Sequence, residues 1–458
     1  MSFASITFLF FFLPLTILGY FALPKGFRNL FLLVASLMFY VWEGGVFLLL
    51  FLGTATINYF LARYLYRARP LAARYALGLG VCVNLVPLLV YKYAMFFAES
   101  LGVAHLFPGL ASLVLPLGIS FFTFHSLSYL VDVYRKDTQP QQHFTDLLLY
   151  IFLFPQLIAG PIVRYKDIAH QFRGRVEQWS LFAEGAWRFT IGLGKKVLIA
   201  NSLAPVADAA FAMQGGNAAI AWIGIIAYAF QIYYDFSGYS DMAVGIGKMF
   251  GFSLPENFNY PYTAQSVQDF WRRWHISLSA WFRDYVYIPL GGSFHGTGQT
   301  TRNILMVFLL VGLWHGAGWV FVLWGLWHGM FLVFERFASQ SRAVPPRWVR
   351  HLYVTLVVLV GWVFFRADSV PHALQYVGTM AGLVTSAVPP VPLPIDSITV
   401  IALLCAILGM APLLTRASKK VPLLSHPYAR ILCMISILLL CAMMLADGSY
   451  NPFIYYRF

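Results

Sequence analysis

Charge is scarce in this sequence, and the scarcity excludes most soluble folds. Of 458 residues only 11% are Asp, Glu, Lys or Arg, while 60% are hydrophobic and the mean hydropathy is +0.70. So little polar side chain cannot cover a water-soluble globule of this size, and the chain reads as a polytopic membrane protein. Cysteine is also rare. Cys82, Cys405, Cys433 and Cys441 stand apart in apolar stretches without a CxxC spacing, which argues against a disulfide framework, a thiolate metal site and a thiol nucleophile. No metal is expected. The sequence lacks GxGxxG, HExxH and GxSxG, and Gly192-Leu193-Gly194-Lys195-Lys196 falls short of the phosphate loop GxxxxGK(S/T). Nucleotide hydrolysis, zinc proteolysis and serine-hydrolase chemistry are therefore poorly supported. Acidic residues are outnumbered, 18 against 31 basic, leaving a net charge of +13. In a membrane chain that excess is first explained by basic cytoplasmic loops, without nucleic acid.

Apolar runs are what the chain has in quantity. Spans are legible at 5–23, 29–42, 46–62, 76–91, 111–131, 147–163 and 219–235, then at 352–365, 396–414 and 430–446. The first lacks the basic start and small-residue cleavage site of a signal peptide and is expected to be retained. Lys25 and Arg28 fall on the same side as Arg63, Arg67, Arg69 and Arg74, so that side is expected to be cytoplasmic. Arg164, Lys166, Arg173 and Arg175 form a second basic loop, Arg336, Arg342, Arg347 and Arg350 a third, and Arg416, Lys419, Lys420 and Arg430 a fourth. Alternation of these loops predicts both termini outside and 373–388 non-spanning, with roughly ten or eleven spans in one membrane domain, 1–458. Residues 181–200 look amphipathic and interfacial. No fixed repeat or matching pair of interrupted helices appears, which weakens a transporter reading.

Two Trp-His-Gly triplets interrupt the apolar run 304–330, at His315 and His328. Ionisable groups at membrane depth are expensive to keep. On a single helix the two imidazoles would sit on nearly opposite faces, roughly 20 Å apart, and could not form a dyad. Gly312, Gly316 and Gly318 surround His315, so a backbone break or a close helix contact is expected there more than at His328. His315 is accordingly the better candidate for chemistry.

The run 264–290 is unusual in another way. Trp271, Trp274, Leu278 and Trp281 recur on one helical stripe, while Arg272, Arg273, Ser279 and Arg283 take other faces. Asp269 is spaced to pair with Arg273. Such a helix either lies on the membrane surface or dips into the protein to line a polar cavity. Further polar groups stand in aromatic surroundings at Tyr233 to Asp241, Asn257 to Tyr262 and His275. A neutral imidazole in a dry site suits a general base that takes the proton of an attacking hydroxyl. Arginines and lysines nearby either attract a polyanionic donor or contact lipid headgroups.

Taken together, Phe154-Pro155-Gln156-Leu157-Ile158-Ala159-Gly160-Pro161, Tyr234-Asp235-Phe236-Ser237-Gly238-Tyr239-Ser240-Asp241, Asn257-Phe258-Asn259, the run Phe270 to Ser279 and Gly312-Leu313-Trp314-His315-Gly316 resemble the membrane-bound O-acyltransferases. They are most similar to the bacterial branch that contains the alginate O-acetyltransferase membrane subunit. The resemblance implies an all-α fold, with spanning, re-entrant and interfacial helices around a funnel. It gives His315 the place of the family's invariant histidine and His275 that of a second histidine of this branch, with His328 in a supporting place. Asp241 and Asn257 fall in family motifs without a settled role.

The same resemblance implies an acyltransferase of the bacterial inner membrane. Its acetyl donor would be cytosolic acetyl-CoA, Arg272 and Arg273 would recruit that donor, and the acetyl group would reach an exported polysaccharide. It also implies a separate periplasmic acetyltransferase of the SGNH type as partner. The terminus Asn451 to Phe458 resembles a C-terminal motif of related systems in which a tyrosine relays the acyl group, making Tyr455 the relay candidate beside Tyr456. Acylation of peptidoglycan, teichoic acid or a lipid is the enzymatic alternative, and conduction by a transporter or channel the alternative of another class.

Overall fold

The structure, a computed structural model, describes residues 2–158, 160–213, 217–294, 296–338, 345–384, 392–413, 426–448 and 454. Among these every regular element is a helix, as a chain with few polar groups requires where no water can satisfy the backbone. Among the described residues six helices are long and apolar enough to cross a membrane: Phe47–Arg67, Pro70–Ser100, Ala218–Met249, Trp319–Ala338, Arg347–Arg366 and Pro427–Ala446. Phe8–Ala22 and Ser397–Gly409 are shorter apolar helices. The protein is therefore an all-α multi-pass membrane protein. Cys82, Cys405 and Cys433 are exposed and Cys441 is buried, all four as free thiols.

Several expected boundaries move, each for a local reason. The span expected at 147–163 is interrupted: Phe144–Phe152 is followed by a turn, Phe154–Leu157, whose Pro155 lacks an amide donor. The span expected at 76–91 grows to Pro70–Ser100, with a π-helical stretch Leu89–Tyr93 just after Pro87. Residues 181–200 are not interfacial throughout. Lys196 is buried, because Asp235 lies 2.7 Å away to neutralise it. Among its described residues the expected non-spanning segment holds the end of the short helix Val370–Met380, after which the chain turns through Gly382 at φ 70°.

The chain divides into two compact units. One comprises 1–189 with 242–255, the other 190–241 with 256–458. In the first, Phe3, Phe8, Phe39 and Phe154 form a buried aromatic cluster, and Asn58 and Asn84 exchange two amide bonds at 2.9 Å inside the bundle.

The second unit is built on a hairpin of two helices, Thr297–His315 and Trp319–Ala338. Its arms meet backbone to backbone. A Cβ at Gly312 would lie 2.3 Å from the Phe321 carbonyl oxygen, and one at Gly325 would lie 2.2 Å from that of Phe308. Small residues of this kind allow helices in lipid to approach closely. The first arm ends at His315, where Gly316 is extended at φ −171°. Both outcomes anticipated from the glycines, the break and the close contact, therefore occur. The single-helix geometry that separated His315 from His328 does not apply.

Candidate active site

His275, His315 and His328 converge within the second unit, each at most 1% exposed. Tryptophans connect them. Trp314 lies between His275 and His315, at ring-centroid distances of 5.8 and 4.7 Å, and Trp324 between His315 and His328, at 4.9 and 5.3 Å. Phe365 closes over His315 at 5.1 Å. Indole and phenyl rings exclude water here, so a charge or a developing alkoxide is felt more strongly than in solvent.

His275 is positioned by the backbone. It adopts φ 45°, a left-handed conformation that costs a non-glycine residue about 1–2 kcal/mol. Asn257 holds it there. The Asn257 carbonyl accepts the Ile276 amide at 3.0 Å. Its side-chain oxygen lies 3.1 Å from His275 Nδ1 and accepts from the Ser277 amide and hydroxyl at 3.2 and 2.9 Å. With that acceptor opposite, Nδ1 carries the proton and Nε2 is the basic nitrogen. Nε2 has no hydrogen-bond partner among the described residues.

The expected helical stripe is thereby cut into Val267–Trp271, Ile276–Phe282 and the π-helical Arg283–Tyr287. Its aromatic residues Trp271, Trp274 and Trp281 are buried in protein all the same, so the segment dips inward instead of lying on a membrane surface. The Asp269–Arg273 pair forms at 2.8 Å, and Arg272 beside it is exposed. Both arginines precede His275 in the same turn. His328 packs differently from His315. It faces Trp271 at 5.1 Å, and its Nε2 presses on Gly361, where a Cβ would come within 2.6 Å.

Two features gave no clear signal in the sequence. Asp235 binds Lys196 at 2.7 Å with one oxygen and accepts the Ile454 amide at 2.9 Å with the other; Asp241 pairs with Lys195 at 2.6 Å. The adjacent lysines 195 and 196 thus serve two different carboxylates. Glu335 accepts the amides of Val267 and Gln268, fixing the start of the turn that carries the arginines. Tyr455, Tyr456 and the rest of the C-terminal motif except Ile454 lie outside the described residues. Among the described residues no group of three or more His, Cys, Asp or Glu is placed to hold a metal ion.

The fold and the site define a polytopic helical membrane protein with three histidines buried in a tryptophan-lined core. The chain belongs to the membrane-bound O-acyltransferase (MBOAT) family, which matches residues 51–367. It is 45% identical over 391 residues to the probable alginate O-acetylase AlgI of Azotobacter vinelandii, covering 83% of this chain and 78% of that protein. It is 46% identical over 384 residues to the counterpart of Pseudomonas aeruginosa, covering 81% and 73%. It is also 40% identical over 417 residues to the peptidoglycan O-acetyltransferase of Helicobacter pylori, covering 82% and 79%. The protein is a membrane O-acyltransferase.

Burial pushes the His275 imidazole down from its ordinary 6.5 to about 3. The folded protein keeps this ring neutral while the unfolded chain binds a proton below about pH 6.5. Stability present above that pH is therefore lost as pH falls toward 3. His275→Asn should flatten this acid limb. In detergent, the wild-type melting temperature should fall more steeply than the variant's between pH 6.5 and 4.5, and parallel curves would contradict the assignment.

Proposed function

We propose that this O-acyltransferase takes acetyl from cytosolic acetyl-CoA and delivers it outward, for O-acetylation of an exported polysaccharide such as alginate, with residues 1–458 acting as one functional domain in the bacterial inner membrane. The observation that carries the reading is the placement of His315 at the tip of the helical hairpin, within an aromatic core that also holds His275. The alginate O-acetylase relatives support the choice of acceptor. Acetyl-CoA is the donor that this chemistry calls for, an activated acyl thioester.

His315 acts as general base. It accepts the proton of an attacking hydroxyl as that oxygen forms a C–O bond to the thioester carbonyl carbon. The C–S bond then breaks, and the departing thiolate takes up the proton. His275, held by Asn257, positions the reacting groups across Trp314. Arg272 and Arg273 face the cytoplasm and recruit the anionic donor. Tyr455 receives the acetyl first, as a phenyl ester, and passes it to an alkyl hydroxyl. A phenolate is a good leaving group for that second step. The Ile454 amide on Asp235 supports a docked tail. With both termini outside, a periplasmic SGNH-type acetyltransferase completes delivery to the polymer. The 40% identity to the Helicobacter enzyme makes peptidoglycan the second reading of the acceptor.

Removing a general base typically costs about 10² to 10⁴ in rate. His315→Ala should therefore abolish acetyl release from labelled acetyl-CoA by folded, purified protein, whereas His328→Ala keeps measurable activity. Equal, total loss in both variants at normal expression would refute separate roles, and transport of substrate without acetyl transfer would favour a conducting protein.

Arg272→Ala combined with Arg273→Ala should raise KM for acetyl-CoA more than it lowers kcat, and the effect should shrink as salt screens the charges. An unchanged KM at low ionic strength would leave the pair as lipid contacts.

Tyr455→Phe removes only a hydroxyl. If the relay operates, the variant fails to acetylate its acceptor, and the wild type yields an acetylated C-terminal peptide by mass spectrometry. A normal rate with no adduct would make the tail an aromatic anchor.

A further inference from the structure

The first unit carries a feature that acyl transfer does not use. A cleft of about 520 Å³ opens at the start of the helix Lys25–Gly44, lined by Lys25, Asn29, His143, Arg173 and Arg175. Its carboxylates are already engaged. Glu177 takes Arg28 and Arg175, and Asp146 takes Arg173 at 3.4 Å and Asn29 at 3.3 Å. Arg175 is fixed further, with Nη1 donating to Asn29 at 2.6 Å, Nη2 to the Tyr20 hydroxyl at 2.8 Å, and its guanidinium over the Phe252 ring at 4.5 Å. Three lining cations, Lys25, Arg173 and Arg175, therefore stand against two carboxylates, one of which also holds Arg28. Lys25 is exposed and has no partner among the described residues, and the Arg173 side chain is 65% exposed despite its pair. The cleft is built to receive negative charge.

The same helix continues the site in apolar form. Gly26 and Leu30 line the basic cleft, and Val34, Leu37, Met38, Val41 and Trp42 line a second, apolar groove of about 370 Å³. Positions 26, 30, 34, 37 and 41 follow one helical face. Leu30, Val34, Met38, Val41 and Trp42 are between 48% and 65% exposed. From Leu30 to Trp42 the stripe runs about 18 Å at 1.5 Å per residue, close to the roughly 15 Å depth of one leaflet of the hydrocarbon core.

We infer that this face holds a resident anionic phospholipid, with the headgroup phosphate in the Lys25–Arg173–Arg175 cleft and an acyl chain along the groove from Leu30 to Trp42. Phosphate in the cleft is bound by charge-assisted hydrogen bonds from arginine and lysine. The groove distinguishes a lipid from a soluble phosphate compound, which would use the cleft alone.

Native mass spectrometry of the full-length protein, offered equal amounts of phosphatidylglycerol and phosphatidylcholine in a mild detergent, tests the assignment. One phosphatidylglycerol should be retained preferentially. Because a cation at an anionic headgroup strengthens binding roughly fivefold, Lys25→Ala with Arg173→Ala should lower retention about 25-fold. Gly26→Trp leaves all charges in place and has no atom within 4 Å of the new Cβ, so it fills the cleft even if the double variant does not fold; it should also release the lipid. Met38→Trp should weaken phosphatidylglycerol while leaving binding of soluble glycerol phosphate unchanged. Equal retention of the two lipids, or wild-type retention in a folded Gly26→Trp protein, would overturn the site. Displacement of the lipid by stoichiometric coenzyme A would overturn the lipid assignment in favour of a soluble phosphate carrier.

Discussion

The hairpin of the second unit closes because Gly312 and Gly325 have no side chains, and the histidine core depends on that contact. Each glycine faces the other arm's carbonyl at a distance that no Cβ fits. In lipid there is little hydrophobic force to draw two apolar helices together, so association rests on van der Waals contact between backbones that approach closely. The consequence reaches the site directly. With the arms closed, Trp324 on the second arm lies between His315, the last residue of the first arm, and His328 on its own arm. Separate the arms and His315 loses the indole that keeps water from one side of its ring.

His275 is held by a different device. Its left-handed backbone is stabilised neither by glycine nor by proline but by one asparagine, which uses its backbone carbonyl and its side-chain oxygen to engage three consecutive residues. This explains why a run with a helical stripe of tryptophans is not one helix. The local pattern favours continuation, yet the interactions with Asn257 offset the cost of turning the chain. The break places the exposed Arg272 and the buried His275 in one turn, so a polar surface residue and a dry imidazole lie within three residues of each other.

What was legible in the sequence was whatever local chemistry dictates. Scarce charge predicts membrane helices, and glycines flanking His315 predict a break and a close approach; both occur. The Asp269–Arg273 pair follows from helical spacing alone. What was not legible depended on partners distant in the chain. Lys195 and Lys196 look alike as neighbours, yet Lys196 is buried on Asp235 and Lys195 reaches Asp241, because successive residues on a helix point in different directions. Nothing local marks Glu335 as the acceptor for Val267 and Gln268. The span expected near 147–163 is interrupted for the opposite reason: hydropathy is blind to Pro155, which lacks the amide that a continuous helix needs.

The three imidazoles are neighbours without being a relay. His275 Nδ1 is committed to Asn257, its Nε2 meets no hydrogen-bond partner among the described residues, and an indole stands between its ring and that of His315. His328 likewise makes no hydrogen bond among the described residues and is wedged against Gly361. A proton cannot pass directly from ring to ring across tryptophan, and for that reason the proposed function gives the role of base to one histidine alone. The central one differs because the backbone ends there. At the terminus of its helix His315 is followed by the extended Gly316, packed against the Phe321 ring, and under the proposed function this turn is where an acyl group meets the base.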